Sequence, residues 1–468
     1  MAQSAALAQD KGQDNEAARY PIGRLLGEIS GIDFTTDLTD LKRRSRDYFW
    51  YSPILNEQLK DKLADIVITP KDESEVIRVA AACAKLRIPL TVRGGATGNY
   101  GQCVPMEGGV VLDMAAMNKI EWQKPGRIRV EAGAKLFDID AATRPAGWEL
   151  RMHPSTKRSA QIGGFVAGGS GGAGSVTYGG MREPGNILAA RIVTLEETPR
   201  VIELRGDAAQ KISRAYGTTG IITVLEMPLA PAQPWIDVIV AFDDFVEAVR
   251  FGRTIAMADG IVKKLVSPVQ WPLPQNFAAY RSFCPDGKSV LLAMIGEMSL
   301  ESFETLLEPF NGTLTYKQPA EDVLNKVPLY EHTWNHTTLQ QLKVDRGLTY
   351  LQCLYPHDRM ADAVAEVGKK FQGEVMQHLE FLRINGVMTA SGIPVIRYTT
   401  PERVYEIIAG YEACGIMIAN PHVVTLEDGS RYKRVDADQL GFKHEVDPMG
   451  LLNPGKMRSF VPNPVPNP

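Results

Sequence analysis

From residue 65 onward, short apolar runs alternate with amphipathic stretches along the chain. Residues 66–68 predict a strand that Pro70 stops. Asp72 then opens a helix whose apolar positions Val76, Val79, Ala80 and Cys83 recur at helical spacing. The run at 88–92 predicts a second strand, so the opening reads as one α/β unit delivering the chain into VRGGATGNY at 92–100. Further on, 109–114 and 127–130 predict strands, 136–146 a short helix, 187–193 with 201–204 a hairpin, 208–214 a helix, and 221–229 a closing strand. Pro228, Pro231 and Pro234 interrupt the pattern there and mark a domain boundary.

A different rhythm fills 235–425. Strand-like runs at 236–242, 291–295, 349–354 and 375–382 alternate with helical ones at 245–257, 302–310, 360–371 and 401–414. That alternation predicts a sheet covered by helices, with antiparallel pairing. The expected fold is therefore α+β in four parts. Residues 1–62 form a polar, irregular extension, anchored by the aromatic cluster Tyr48, Phe49, Trp50 and Tyr51 rather than touching ligand. Residues 63–232 form a binding domain and 233–440 a cap. Residues 441–468 return to the first domain, because DPMGLLNPGK at 447–456 is too tightly punctuated by proline and glycine for a mere tail.

Length and composition narrow the class. A chain of 468 residues is long for one core and favours two domains. Lys and Arg number 51 against 55 Asp and Glu, a formal net charge of −4, so no broad basic field exists for nucleic acid. The five cysteines are scattered without a CxxC pair, which suits a reducing, cytoplasmic setting. The first nineteen residues lack the basic start and apolar core of a signal peptide and read as a mobile tail. No stretch has the length of unbroken apolar sequence that a membrane span needs.

Candidate chemistry lies in two glycine-rich segments. The first spends Gly94, Gly95 and Gly98 within a few positions; the second, 162–180, reads IGGFVAGGSGGAGSVTYGG. Glycine admits positive φ and close backbone approach, so successive N–H groups can converge on an anion such as a pyrophosphate. Two such loops suggest one extended, doubly phosphorylated ligand between them. Gly169, Gly171 and Gly174 also fit G-x-G-x-x-G, but SVTYGGMREPGN after them is a poor helix start, which disfavours a nicotinamide site. The G-x-S-x-G match at 168–172 arises almost automatically in so glycine-rich a stretch. His332 and His336 share a helix face, as metal ligands can, yet nothing nearby completes a shell, so no metal is expected.

Taken in order, several motifs make the chain resemble the flavoproteins with a PCMH-type FAD-binding domain, the vanillyl-alcohol oxidase superfamily, in its D-lactate and glycolate dehydrogenase-like branch. They are RGGATGNYGQ (93–102), GGVVLDM (108–114), VEAGA (130–134), HPST (153–156), IGGFVAGGSGG (162–172), GTTGIITVLEMPL (217–229) and LLNPGK (451–456). The resemblance implies two α/β subdomains clasping FAD, with an α/β cap whose sheet is mainly antiparallel. It implies that Arg93, Gly94, Gly95, Ala96, Thr97, Gly98 and Gly101 cradle the pyrophosphate. Ser155, Thr156, Ile162, Gly163, Gly164, Gly168, Gly169, Gly171 and Gly172 would line FAD from the other side, Ile221 would hold the adenine end, and Asn453 and Lys456 would approach the isoalloxazine ring. Relatives that attach FAD covalently use a His in the first loop or a Cys before the second; neither is present, so FAD is expected to be non-covalent.

The implied activity is hydride transfer from a small alcohol or hydroxy acid to flavin N5, with oxygen or a redox partner as electron acceptor. The base and recognition groups would come from the cap: His336, His422, His378, Glu380, Arg397 or Asn420. The alternatives are a flavin-binding electron-transfer subunit of a larger complex and an NAD-dependent dehydrogenase. Self-association is left open.

Overall fold

A computed structural model describes residues 19–323, 326–429 and 435–462. Nearly all of the expected N-terminal tail, residues 1–18, lies outside the described residues. The stretch after it is not irregular, contrary to expectation. It folds into helices Ile22–Glu28, Leu38–Arg44 and Pro53–Leu59 and a strand, β1 (Asp33–Thr35). Each helix is seven residues long, too short to show a period, and two are fixed by their caps. Asp37 accepts the N–H groups of Thr39 and Asp40, and Ser52 accepts that of Leu55 with Pro53 in the first turn.

β1 joins the edge of the first sheet, with β2 (Ile66–Thr69), β3 (Leu90–Arg93) and β4 (Val110–Asp113) in the order β1-β2-β4-β3. β2 and β3 both run parallel to β4. The crossover helix, Glu73–Leu86, is capped by Asp72 and ends at Arg87 in the left-handed region. Val76, Val79, Ala80 and Cys83 form its fully buried stripe; each valine contributes roughly 1.5–3 kcal/mol by leaving water.

The second sheet contains β5 (Ile120–Lys124), β6 (Arg127–Glu131), β7 (Trp148–Leu150), β8 (Ala189–Val193), β9 (Val201–Arg205) and β10 (Ile221–Pro231). Its order is β5-β6-β10-β8-β9, with β7 also on β10. Pro228 and Pro231 therefore lie inside a strand instead of breaking one. The β8 ladder ends at Glu226 and the β7 ladder starts at Leu229, so that flank asks no N–H of Pro228. The 208–214 helix is a 3₁₀ segment, Gly206–Ile212. The second glycine segment also differs from a loop. Its first part is a helix, Ile162–Gly168, and Ser175–Tyr178 adds a single turn. Glycine is needed there for packing: a Cβ on Gly163 would stand 2.7 Å from the Ala132 Cβ.

The cap sheet is antiparallel, with β11 (Trp235–Phe242), β12 (Lys263–Val269), β13 (Ser289–Gly296) and β14 (Gly312–Pro319) in the order β12-β13-β11-β14. Phe242, Phe251 and Phe303 sit in the core between this sheet and helices Phe245–Met257 and Leu300–Leu307. The strand-like runs at 349–354 and 375–382 are each two strands. The remaining strands are β15 (Leu348–Tyr350), β16 (Cys353–Leu354), β17 (Val375–Met376), β18 (Leu379–Ile384), β19 (Val387–Gly392), β20 (Val395–Arg397) and β21 (Met417–Ile418). They form two small sheets, β15-β20-β17 and β18-β19-β16-β21. The chain then runs back along β3, where Asn453 N–H donates to the Leu90 carbonyl at 2.7 Å. Among the described residues no helix is long and apolar enough to cross a membrane.

Candidate active site

One long cavity runs between the two glycine-rich segments and ends under the cap. β3 delivers the first segment, and Gly94, Gly95, Ala96, Thr97 and Gly98 all line the cavity. These glycines are needed for room more than for positive φ; it is Ala96 that adopts φ 49. A Cβ on Gly95 would stand 2.4 Å from the Ser159 carbonyl oxygen, and one on Gly98 1.8 Å from Gln102 Oε1. Across the cavity lie Ser155, Thr156, Gly163, Gly164, Gly168 and Gly171, and Thr156 Oγ1 donates to Thr97 Oγ1 at 3.2 Å.

Other residues expected to touch the cofactor support the cavity without lining it. Ile162 and Ile221 are core residues. Gly169 caps its helix at φ 64, packed on Arg214, and Gly172 packs on the His153 carbonyl. Because Gly169 follows a helix instead of leading from a strand into one, the nicotinamide-type motif is not formed. Arg93 reaches backwards: its guanidinium donates to the Arg44 and Arg46 carbonyls and lies 3.7 Å from Asp113. Asn453 donates to the carbonyls of Gln102 and Tyr216, pinning two cavity segments together.

Beneath the first loop, Lys456 is fully buried and donates to the Gly101 carbonyl at 2.5 Å. It compensates Asp47, a cavity-lining carboxylate that accepts the N–H groups of Phe49 and Gln102 at 2.9 Å. Burial raises the Asp47 pKa and lowers that of Lys456, and each opposes the other's shift through its charge. Sequence reasoning missed Asp47. It also read its neighbours Tyr48 and Tyr51 as anchors alone, whereas both line the cavity. A signal was present, in a carboxylate leading directly into four aromatics.

The cap closes the far end with Trp334, Asn335 and His336, joined by Tyr100, Tyr216 and Gln352. His332 and His336 do not share a helix face. His332 ends a 3₁₀ turn, His336 begins helix Asn335–Leu342, and Trp334 between them sits at φ 52. The His332 ring packs against Phe277 and Tyr280, while that of His336 reaches the cavity. Burial lowers the His336 pKa to about 4, so its imidazole is neutral at pH 7.

The other cap candidates stand away from the cavity. His378 and Glu380 are buried behind Trp334, paired at 2.8 Å. His422 is held by Ser52 Oγ at 2.7 Å, and Asn420 Oδ1 accepts the His422 N–H. Arg397 is exposed on β20, bonded to the Gly373 carbonyl. Sequence position alone does not reveal which way these side chains face.

Among the described residues, four buried polar atoms on cavity-lining residues lack a protein partner: Asn99 Nδ2, Gln161 Oε1, Trp334 Nε1 and Asn335 Oδ1. With the side-chain-poor walls, they fit a long ligand that carries both phosphate and ring polar groups.

The comparisons agree with that fit. A family model described as an FAD binding domain matches residues 64–203. The chain is 30% identical to the glycolate oxidase subunit GlcD of Escherichia coli over 207 residues, which is 42% of this chain and 41% of that protein. It is 29% identical to a D-lactate dehydrogenase of Archaeoglobus fulgidus over 176 residues, 36% of this chain and 39% of that one. The matched part thus spans about two fifths of these relatives' own length. In fold it is similar to an alkyldihydroxyacetonephosphate synthase, with TM-score 0.72 at 16% identity over 93% of this chain and 86% of that one. Residues 64–203 are therefore an FAD-binding domain, similar in sequence to that part of these relatives, and the chain as a whole shares the fold of the synthase.

Proposed function

We propose that the protein is an FAD-dependent oxidoreductase that oxidises the CH–OH group of a small alcohol or hydroxy acid. The relatives, a glycolate oxidase subunit and a D-lactate dehydrogenase by name, support the substrate class. FAD bound in the cavity supplies a two-electron acceptor for the hydride leaving the substrate carbon. The first glycine loop would hold its diphosphate through N–H groups and the Thr97 hydroxyl, whose oxygen accepts from Thr156, and Asn99 Nδ2 and Trp334 Nε1 would donate to its oxygens at the cap end. His336 takes the hydroxyl proton. The reading rests chiefly on this residue: of the cap candidates it is the one on the cavity wall, and its neutral imidazole has a lone pair free at pH 7.

The cofactor is held without a covalent bond. Burial pushes the thiol of Cys103, a cavity-lining cysteine just after the first loop, up to about 12, so it carries almost no thiolate. The five free cysteines suit a reducing compartment. The second reading, an electron-transfer subunit that passes electrons to a protein partner, draws on the GlcD relative being named a subunit.

The test is anaerobic mixing of the FAD-loaded protein with glycolate, D-lactate and neutral alcohols. One of these bleaches the flavin, and His336→Ala slows bleaching by roughly 10²–10⁴-fold. An unchanged rate in His336→Ala removes this residue as the base, and no bleaching by any of them favours the subunit.

A further inference from the structure

The wall that carries His336 is held from behind. Trp334 occupies a backbone conformation that bulky L residues avoid, φ 52 and ψ −141. Its N–H is donated to Glu380 Oε1 at 2.5 Å. The same oxygen accepts Ser267 Oγ at 3.0 Å and lies 2.8 Å from His378 Nε2. Ser267 Oγ is 3.1 Å from that nitrogen, and Thr337 Oγ1 is 3.4 Å from it. Ser267, Thr337, His378 and Glu380 are all at most 1% exposed. They reach one point from β12, from β18 and the residue just before it, and from the helix that starts at Asn335.

On its other side, the Trp334 ring closes against the second glycine segment. A Cβ on Gly171 would stand 2.5 Å from the indole. The chain thus buries a carboxylate, an imidazole and two hydroxyls where apolar side chains would pack at no electrostatic cost. Thr337 Oγ1 also donates to the His332 carbonyl at 2.6 Å, and Glu380 holds the N–H of one strained peptide.

We propose that Glu380, with His378 and Ser267, is a positioning site that locks the Trp334 peptide in its left-handed turn. The indole and His336 are thereby kept on the cavity wall, facing flavin and substrate. For His336 this rests on the oxidoreductase reading; for Trp334 it does not, which separates the two tests.

The experiment uses the full-length protein saturated with FAD. Quenching of tryptophan emission on FAD binding is measured in wild type and in Trp334→Phe, which gives the share owed to Trp334. Glu380→Gln keeps the acceptor oxygen and retains that share. Glu380→Leu loses it, with FAD affinity falling no further than in Trp334→Phe, and flavin reduction by glycolate or D-lactate slows by roughly 100-fold, as a misplacement near 1 Å does. Should Glu380→Leu fail to fold, Ser267→Ala decides, with part of the share lost and reduction slowed several-fold. Wild-type quenching and wild-type reduction in a folded Glu380→Leu, or in Ser267→Ala, overturn the proposal. If neither acid reduces even the wild-type protein, the proposed function fails while quenching still decides the positioning role.

Discussion

Two glycines of the first loop look alike in sequence, yet alanine should affect them very differently. At Gly95 the added Cβ meets a main-chain oxygen, that of Ser159 at 2.4 Å, with Ala160 Cα at 3.3 Å. A carbon–oxygen contact settles near 3.3 Å, so one partner must retreat by about 1 Å. The Ser159 side is tied down: Ala160 N–H donates to Thr156 and its carbonyl accepts Leu136 N–H. The loop therefore moves, and its amides leave the diphosphate. Two charge-assisted hydrogen bonds at about 1.5–3 kcal/mol each give a loss of about 3–6 kcal/mol, or roughly 10²–10⁴-fold in Kd for FAD. At Gly98 the clash is with the end of the Gln102 side chain. That chain rotates away at about 0.5–1.5 kcal/mol, costing roughly tenfold or less. Titration of apoprotein with FAD, followed by flavin fluorescence, measures both. Gly95→Ala binding as tightly as wild type, or Gly98→Ala harmed as much as Gly95→Ala, would refute the reasoning.

Other expectations follow from burial and charge. His332 and His422 are 2% and 1% exposed, and burial lowers each from 6.5 to about 4. The unfolded chain therefore binds more protons between those values. The stability is fully present above pH 6.5 and is lost as pH falls towards 4, by up to about 1.4 kcal/mol per pH unit for each ring. Urea midpoints between pH 4.5 and 7 should show it, with His422→Gln removing one ring's share of the slope. Lys456→Met leaves Asp47 buried without its cation, which costs about 3–5 kcal/mol at pH 7 and less in acid, where Asp47 is protonated; denaturant unfolding at two pH values checks it. Arg397→Ala, being exposed and remote from the cavity, should leave the rate of flavin reduction and FAD affinity unchanged in the same anaerobic assay.

What the sequence disclosed was set by local physics. The helix at Glu73–Leu86 was legible because its stripe of Val76, Val79, Ala80 and Cys83 is long enough to show a period, and its cap, Asp72, is explicit. The glycine loop was legible because little other than close backbone approach calls for glycines so dense. Long-range packing was not legible. Seven-residue helices in the first sixty residues lack a period, and Pro228 is tolerated in β10 because the β8 and β7 ladders leave it unpaired on one flank. The helix at Ile162–Gly168 forms despite its glycines because Gly163 must pack on Ala132. For the cap, residue type suggested six candidates, but facing was decided by the turn at Trp334. It turned His336 inwards and left His332 in the core.

The most direct test of the whole account is an experimental structure with FAD bound. It should show the diphosphate within hydrogen-bonding distance of the main-chain amides at 94–98, and the isoalloxazine ring at the end of the cavity walled by Trp334 and His336. A diphosphate elsewhere, or a ring at the opposite end from His336, would contradict it.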